Sequence, residues 1–242
     1  MTEQILVYGD QRIPYTVKPD QHRRSRVAIH VDPDGTVTVD APEGFADDTI
    51  RQAVQKRARW IVDHVADAHH RFADVRPREY VSGEQVLYLG RRYMLKVMPV
   101  SAKPTRPVLK GNQLEITPRS TNPDDIAARV KGWYRVKARD YLAKRLDHFS
   151  TTLPWVNTTP RFRLLVMQRQ WGSCSTSQSL TLNPHLIKTP RDCIDYVLVH
   201  ELVHMVHHHH GPEFFRLLDQ SIPDWRKTKS KLDKLVEVVM NE

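Results

Sequence analysis

The sequence predicts an α+β chain: a β-rich N-terminal region with one long helix, then a helical C-terminal part with a short antiparallel sheet. Three observations carry this. Apolar and polar residues alternate in the first forty positions, as in Val27-Ala-Ile-His-Val-Asp and Val37-Thr-Val-Asp, the pattern of half-buried strands. Two stretches, 47–71 and 122–149, carry apolar residues at helical spacing. Strands come first and helices last, without the regular alternation that builds a parallel α/β sheet.

Taken in order, Gln4–Tyr8, Arg12–Val17, Arg26–Val31 and Thr36–Val39 read as strands, the last two joined by an Asp34-Gly35 hairpin turn. A helix is expected from about Asp47 to Arg71, with Ile50, Val54, Ile61 and Val65 on one face and Trp60 beside it. Val86–Leu89 and Tyr93–Val97 flank Gly90-Arg-Arg. Gln113–Thr117 follows Gly111-Asn112, and Pro99, Pro104 and Pro107 mark a loop between them. The second long helix opens with Asn122 as N-cap, Pro123 at the first helical position and Asp124-Asp125 against the helix dipole. It turns Ile126, Val130, Trp133, Tyr141, Leu142 and Phe149 inward. Arg161–Gln168 and Ser179–Asn183 are expected to pair around a turn holding Trp171–Ser175. Thr189-Pro190 opens a third helix that runs through Ile194, Val197 and Leu198 into a cluster of histidines, with Gly211-Pro212 as its stop. Short helices follow from Pro212 and Pro223. The expected division is into residues 1–119 and 120–242.

Composition narrows the function classes. With 40% hydrophobic and 27% charged residues, the 242-residue chain has the make-up of a folded globular protein and not of a disordered one. No apolar run approaches the roughly 20 residues that span a bilayer, and the first ten residues lack the basic and apolar regions of a signal peptide. A cytoplasmic location and no membrane partner are therefore expected. Two cysteines, Cys174 and Cys193, build neither a disulfide framework nor a four-cysteine zinc site. The net charge of +9 permits anionic partners. Its distribution is uneven: residues 151–190 hold Arg161, Arg163, Arg169 and Lys188 and no acid. The Arg23-Arg24-Ser25-Arg26 run reads as a solvated strand edge.

Six of the thirteen histidines fall between His200 and His210. In Val199-His200-Glu201-Leu202-Val203-His204, residues four apart share a helix face, so His200 and His204 can hold one metal ion. Neutral imidazole suits zinc. Glu201 flanks the ion without binding it and can take a proton from an activated water. The helix is apolar around the motif, and burying two histidines and a glutamate without partners is costly. One zinc ion is the expected cofactor. A hydrolytic zinc takes three protein ligands. His207, His208, His209 and His210 are the candidates for the third, and His210 is favoured because Gly211 lets the backbone reverse toward the metal. Arg169, Tyr134 and His185 are alternatives for stabilising an oxyanion, and Trp171, Gly172 and Ser173 are placed beside the substrate.

His200-Glu-Leu-Val-His204 followed by His210-Gly-Pro-Glu-Phe-Phe215 resembles the YgjP-like (DUF45) family of M48-type zinc metallopeptidases and metal-dependent hydrolases. Arg169-Gln-Trp-Gly-Ser-Cys-Ser175, Leu182-Asn183, Ile194-Asp-Tyr-Val197, Ser82-Gly-Glu, Tyr88-Leu-Gly-Arg-Arg-Tyr93 and Ala58-Arg-Trp-Ile61 are similar to further blocks of that family. The resemblance spans nearly the whole chain. It departs at His209, commonly Asn, at Gly211, commonly Ser, and at Phe215, more often Trp. It implies a zincin-like catalytic part and a metallopeptidase acting on peptide or protein. Two other activities compete: hydrolysis of nucleoside triphosphates on the same ligands, supported by the arginines, and a non-enzymatic basic module for nucleic acid. The latter would not need Glu201, so nucleic acid is not the expected partner.

Overall fold

In the computed structural model, which describes residues 2–20, 25–32, 35–73, 78–167 and 170–241, the N-terminal strands form a four-stranded sheet. Strand β1 (Thr2–Tyr8) pairs antiparallel with β2 (Gln11–Asp20). β3 (Ala28–Val31) pairs antiparallel with β4 (Val37–Pro42), and β2 lies parallel to β4. Alternate residues Leu6, Ile13, Tyr15, Val17, Val37 and Val39 are buried in one core with Ile50, Val54, Ile61 and Val65. These last four stand on two helices, α1 (Asp47–Lys56) and α2 (Ala58–Ala73), where one was expected. The break is at Arg57 (φ −108°, ψ 11°). No glycine or proline marks it, and both halves keep their apolar face inward. Asp34 of the expected turn, and Arg23-Arg24, lie outside the described residues, while Gly35 takes a left-handed φ of +85°.

Two compact units divide at residues 76 and 77, so the expected boundary at 119/120 falls inside the second. The reason is visible in the middle sheet, ordered β5 (Gln85–Tyr88), β6 (Arg91–Val97), β8 (Gln113–Ile116) and β7 (Val108–Lys110). Its β5–β6 turn holds Leu89 and Gly90 at positive φ, and their N–H groups donate to the carbonyls of Ile187 (2.8 Å) and Lys188 (3.2 Å). A Cβ on Gly90 would stand 2.8 Å from the Pro190 Cα. The sheet thus belongs to the C-terminal core through backbone contacts. Three-residue β7 replaces part of the expected Pro-rich loop.

Helix α3 (Pro123–Thr152) is capped as its sequence predicts: Asn122 Oδ1 accepts from the Asp124 N–H at 2.9 Å. Ile126, Val130, Trp133, Tyr134, Ala138, Leu142, Leu146 and Phe149 bury one stripe of it, while Tyr141 stays half-buried. The last sheet differs from expectation. β9 (Phe162–Leu164) runs parallel, not antiparallel, to β11 (Leu180–Leu182). The expected turn is itself a strand, β10 (Gly172–Cys174), antiparallel to β11 and at the sheet edge. A buried 3₁₀ turn, Pro184–Lys188, follows, and the Asn183 side chain accepts from the His185 N–H at 3.1 Å. Then come α4 (Arg191–Val203), α5 (Pro212–Ser221), α6 (Trp225–Asp233) and α7 (Val236–Met240). Among the described residues, no helix is long and apolar enough to cross a membrane.

Candidate metal centre

Helix α4 is apolar nearly all round, with Cys193, Ile194, Val197, Leu198, Val199, Leu202 and Val203 buried, as a helix in the middle of a core must be. It ends at Val203, a full eight residues before the expected stop at Gly211. The N–H groups of Met205, Val206 and His207 donate back to Leu202, Val203 and Val203, tightening the chain into a turn. His207 is therefore off the helix. Gly211 is extended (φ −87°, ψ −179°), so the reversal that returns His210 lies in the turn and bends before it and does not use the glycine's freedom.

That reversal brings three imidazoles together. One ring nitrogen from each of His200, His204 and His210 lies within 4.8 Å of the others. The Nε2 atoms of His200 and His210 approach to 3.2 Å. Two ligands at tetrahedral angles around zinc, each 2.0–2.1 Å from it, would stand about 3.3 Å apart, so the spacing fits such an ion. His204 Nδ1 lies 3.2 Å from the His207 carbonyl, which holds its proton on that nitrogen and leaves Nε2 with a lone pair. Phe214, fully buried, packs against all three rings at centroid distances of 5.0, 4.6 and 4.6 Å. Burial, followed by the neighbouring His204, His210 and Lys229, pushes His200 down to about 3. His204 is also lowered, chiefly by burial. Neutral imidazoles are the form that binds a metal.

Glu201 stands beside this cluster, 5% exposed. Burial pushes its carboxyl up to about 8, and its Oε2 has no hydrogen-bond partner among the described residues. Strand β10 lies directly over it. A Cβ on Gly172 would come 2.7 Å from Glu201 Cγ and 2.8 Å from Oε1. The glycine thus serves close backbone approach, not a positive φ.

The model of the YgjP-like family, described as "YgjP-like, metallopeptidase domain", matches residues 25–235. The chain belongs to the YgjP-like family. Among solved structures, the metallopeptidase zymogen abylysin of Pyrococcus abyssi is similar at 19% identity and a TM-score of 0.35, over 38% of this chain and 90% of its own. No curated protein matches.

In this YgjP-like chain a cavity of about 540 Å³ opens over the histidines, and Trp171, Gly172, Ser173 and Cys174 line it. The Cys174 thiol is pushed up to about 11, by burial and then by Glu201, so it is not a thiolate at neutral pH. Other sequence expectations fall elsewhere. Tyr134 is 5% exposed, donates its hydroxyl to the Leu87 carbonyl at 2.7 Å, and does not line the cavity, so it is a core residue. His185 is buried in the 3₁₀ turn. Arg169 lies outside the described residues. Of the other basic residues placed near the metal, Lys188 is buried with its Nζ donating to the Val239 carbonyl, and Arg163 donates to Thr181 Oγ1. Tyr196 and Lys229 are among the lining residues to which the sequence assigns no role. Tyr196 precedes His200 by four and shares its helix face, a signal that spacing carries. Lys229 arrives from α6, which no local pattern links to the motif.

Proposed function

We propose that this chain is a zinc-dependent metallopeptidase, with His200, His204 and His210 as ligands of one ion and Glu201 as general base. The observation that supports it is the meeting of three imidazoles beside a buried carboxylate, whose Oε2 has no hydrogen-bond partner among the described residues, under an edge strand. A zinc ion bound there supplies Lewis acidity and makes water a nucleophile near neutral pH. Beside a cation, Glu201 ionises at neutral pH despite its burial, because an opposite charge favours the charged form. It accepts a proton from the attacking water and returns it to the departing amine. Strand β10 has no partner on its outer side among the described residues, so an extended peptide can add to the sheet there. Trp171 and Ser173 then flank the scissile bond.

Phosphoanhydride cleavage would need several cations converging on the metal. Lys229 is the one Lys or Arg among the described residues that lines the cavity, and its Nζ is 2.6 Å from Asp233. The peptidase reading is accordingly the better supported. A zinc-loaded preparation offered a peptide library and a panel of nucleoside triphosphates tests it, with Glu201→Gln as control. Peptide cleavage abolished in the control is expected. Glu201-dependent release of phosphate or pyrophosphate, without peptide cleavage, would transfer the site to nucleotide hydrolysis.

A further inference from the structure

The three imidazoles are held in different ways. His200 and His204 are half-buried at α4, whereas His210 is exposed, in the irregular segment before α5. A metal-binding histidine normally has its other ring nitrogen fixed by a hydrogen bond. His204 has that bond, to the His207 carbonyl. Among the described residues, the His210 side chain has one hydrogen-bonding neighbour, His200 Nε2 itself, so no such bond orients it from behind.

Stacked rings stand in that place. The His210 ring stacks on Phe215 (centroids 6.1 Å apart, planes 24°), Phe215 on Trp225 (5.8 Å, 14°), and Trp225 on Tyr196 (6.0 Å, 5°). Tyr196 meets His200 edge-on at 5.9 Å, and His200 lies 5.1 Å from His210, so the circuit closes. Offset-stacked and edge-on pairs in this range are attractive. Trp225, the central ring, is 8% exposed. Its Nε1–H donates to Asp219 Oδ1 at 2.7 Å, and the Arg226 guanidinium, 4.5 Å from its ring centroid, donates to the same oxygen at 2.6 Å. The indole is thus fixed at its edge as well as its faces.

We infer that Trp225 is a positioning residue for the metal site, setting the His210 imidazole through Phe215 and the His200 imidazole through Tyr196. The inference rests on the reading of the three histidines as metal ligands. Without the stack, an exposed loop histidine would lose its rotamer freedom only when the ion arrives, and that loss would weaken binding. With it, the ring is ordered beforehand.

The test is zinc affinity by competition with a chromophoric chelator, for the wild type, Trp225→Phe, Trp225→Leu and Phe215→Leu. Leucine keeps the site apolar but is smaller and cannot stack. Loss of an outer partner that orients a ligand costs about 10–100-fold in metal affinity, and that is the fall expected for both leucine variants. Trp225→Phe keeps a ring in the stack and should stay within about threefold of the wild type. The cobalt(II) absorption spectrum at saturation, which reports ligand geometry, should change in the leucine variants only. Wild-type affinity together with a wild-type cobalt spectrum in either leucine variant overturns the inference. Should Trp225→Leu fail to fold, Phe215→Leu decides the question from the other side of the stack. A wild type that binds no zinc sinks the metal-site reading itself.

Discussion

Replacing Gly172 by alanine perturbs the site through one atom. The added Cβ would lie 2.7 Å from Glu201 Cγ, 2.9 Å from Cδ and 2.8 Å from Oε1. Carbon atoms pack comfortably at about 3.5–4.0 Å, so the Glu201 side chain must retreat by roughly 1 Å. Turning the carboxyl group about its last bond does not relieve the contact, because Cγ is the closest atom. Relief needs a change nearer the α4 backbone, in a side chain that is 5% exposed. A displacement of that size at a reacting group costs on the order of 100-fold in turnover, about 2.7 kcal/mol of transition-state stabilisation. The three atoms nearest the new methyl group all belong to Glu201 and none to an imidazole, and the Gly172 backbone is not left-handed. Zinc affinity and melting temperature should therefore stay near those of the wild type. The assay is kcat/KM of the zinc-loaded variant on peptides the wild type cleaves, with metal content measured on the same sample. Wild-type turnover would refute the reasoning, and so would a loss fully explained by lost zinc.

Glu201→Gln should change the pH dependence of stability in chelated, metal-free protein. Burial raises the Glu201 carboxyl from 4.5 to about 8, so the folded state keeps a proton that the unfolded chain releases. That contribution is fully present below pH 4.5 and lost as pH rises through about 8. At about 1.4 kcal/mol per pH unit, the variant should be more stable than wild type by roughly 3 kcal/mol at pH 7 and by little at pH 4.5, read by urea unfolding; a pH-independent difference contradicts this. Gly90→Ala combines a φ of +76° with a Cβ 2.8 Å from the Pro190 Cα, and should destabilise the second unit by about 2 kcal/mol or more in thermal unfolding. Tyr134→Phe removes the hydrogen bond to the Leu87 carbonyl and should cost about 1 kcal/mol of stability with kcat unchanged; a large fall in kcat would return Tyr134 to the site.

The parts of this site that sequence makes legible are those set by local periodicity. His200, Glu201 and His204 follow from helical spacing, and Tyr196 lies on the same face by the same rule. Asn122 and Pro123 start α3 because capping chemistry is local. What was hidden is set by partners distant in sequence. The parallel pairing of β9 with β11 and the strand character of Gly172–Cys174 come from a sheet closed across some twenty residues. Helix α4 ends at Val203 without a glycine or proline to announce it, because backbone groups of the following turn take over its last carbonyls. Tyr134 resembled a site residue by type, but its hydroxyl is satisfied by a carbonyl of the middle sheet. The Trp225 stack joins three helices, and no spacing rule relates Tyr196 to Trp225.

Crystals soaked in zinc and measured at the zinc absorption edge test the central claim most directly. The account predicts one strong anomalous peak, bonded at about 2.0–2.1 Å to nitrogens of His200, His204 and His210, with Glu201 beside it but not coordinated. A peak held instead by His207, His208 or His209, or one that includes the Glu201 carboxylate among its ligands, would contradict it.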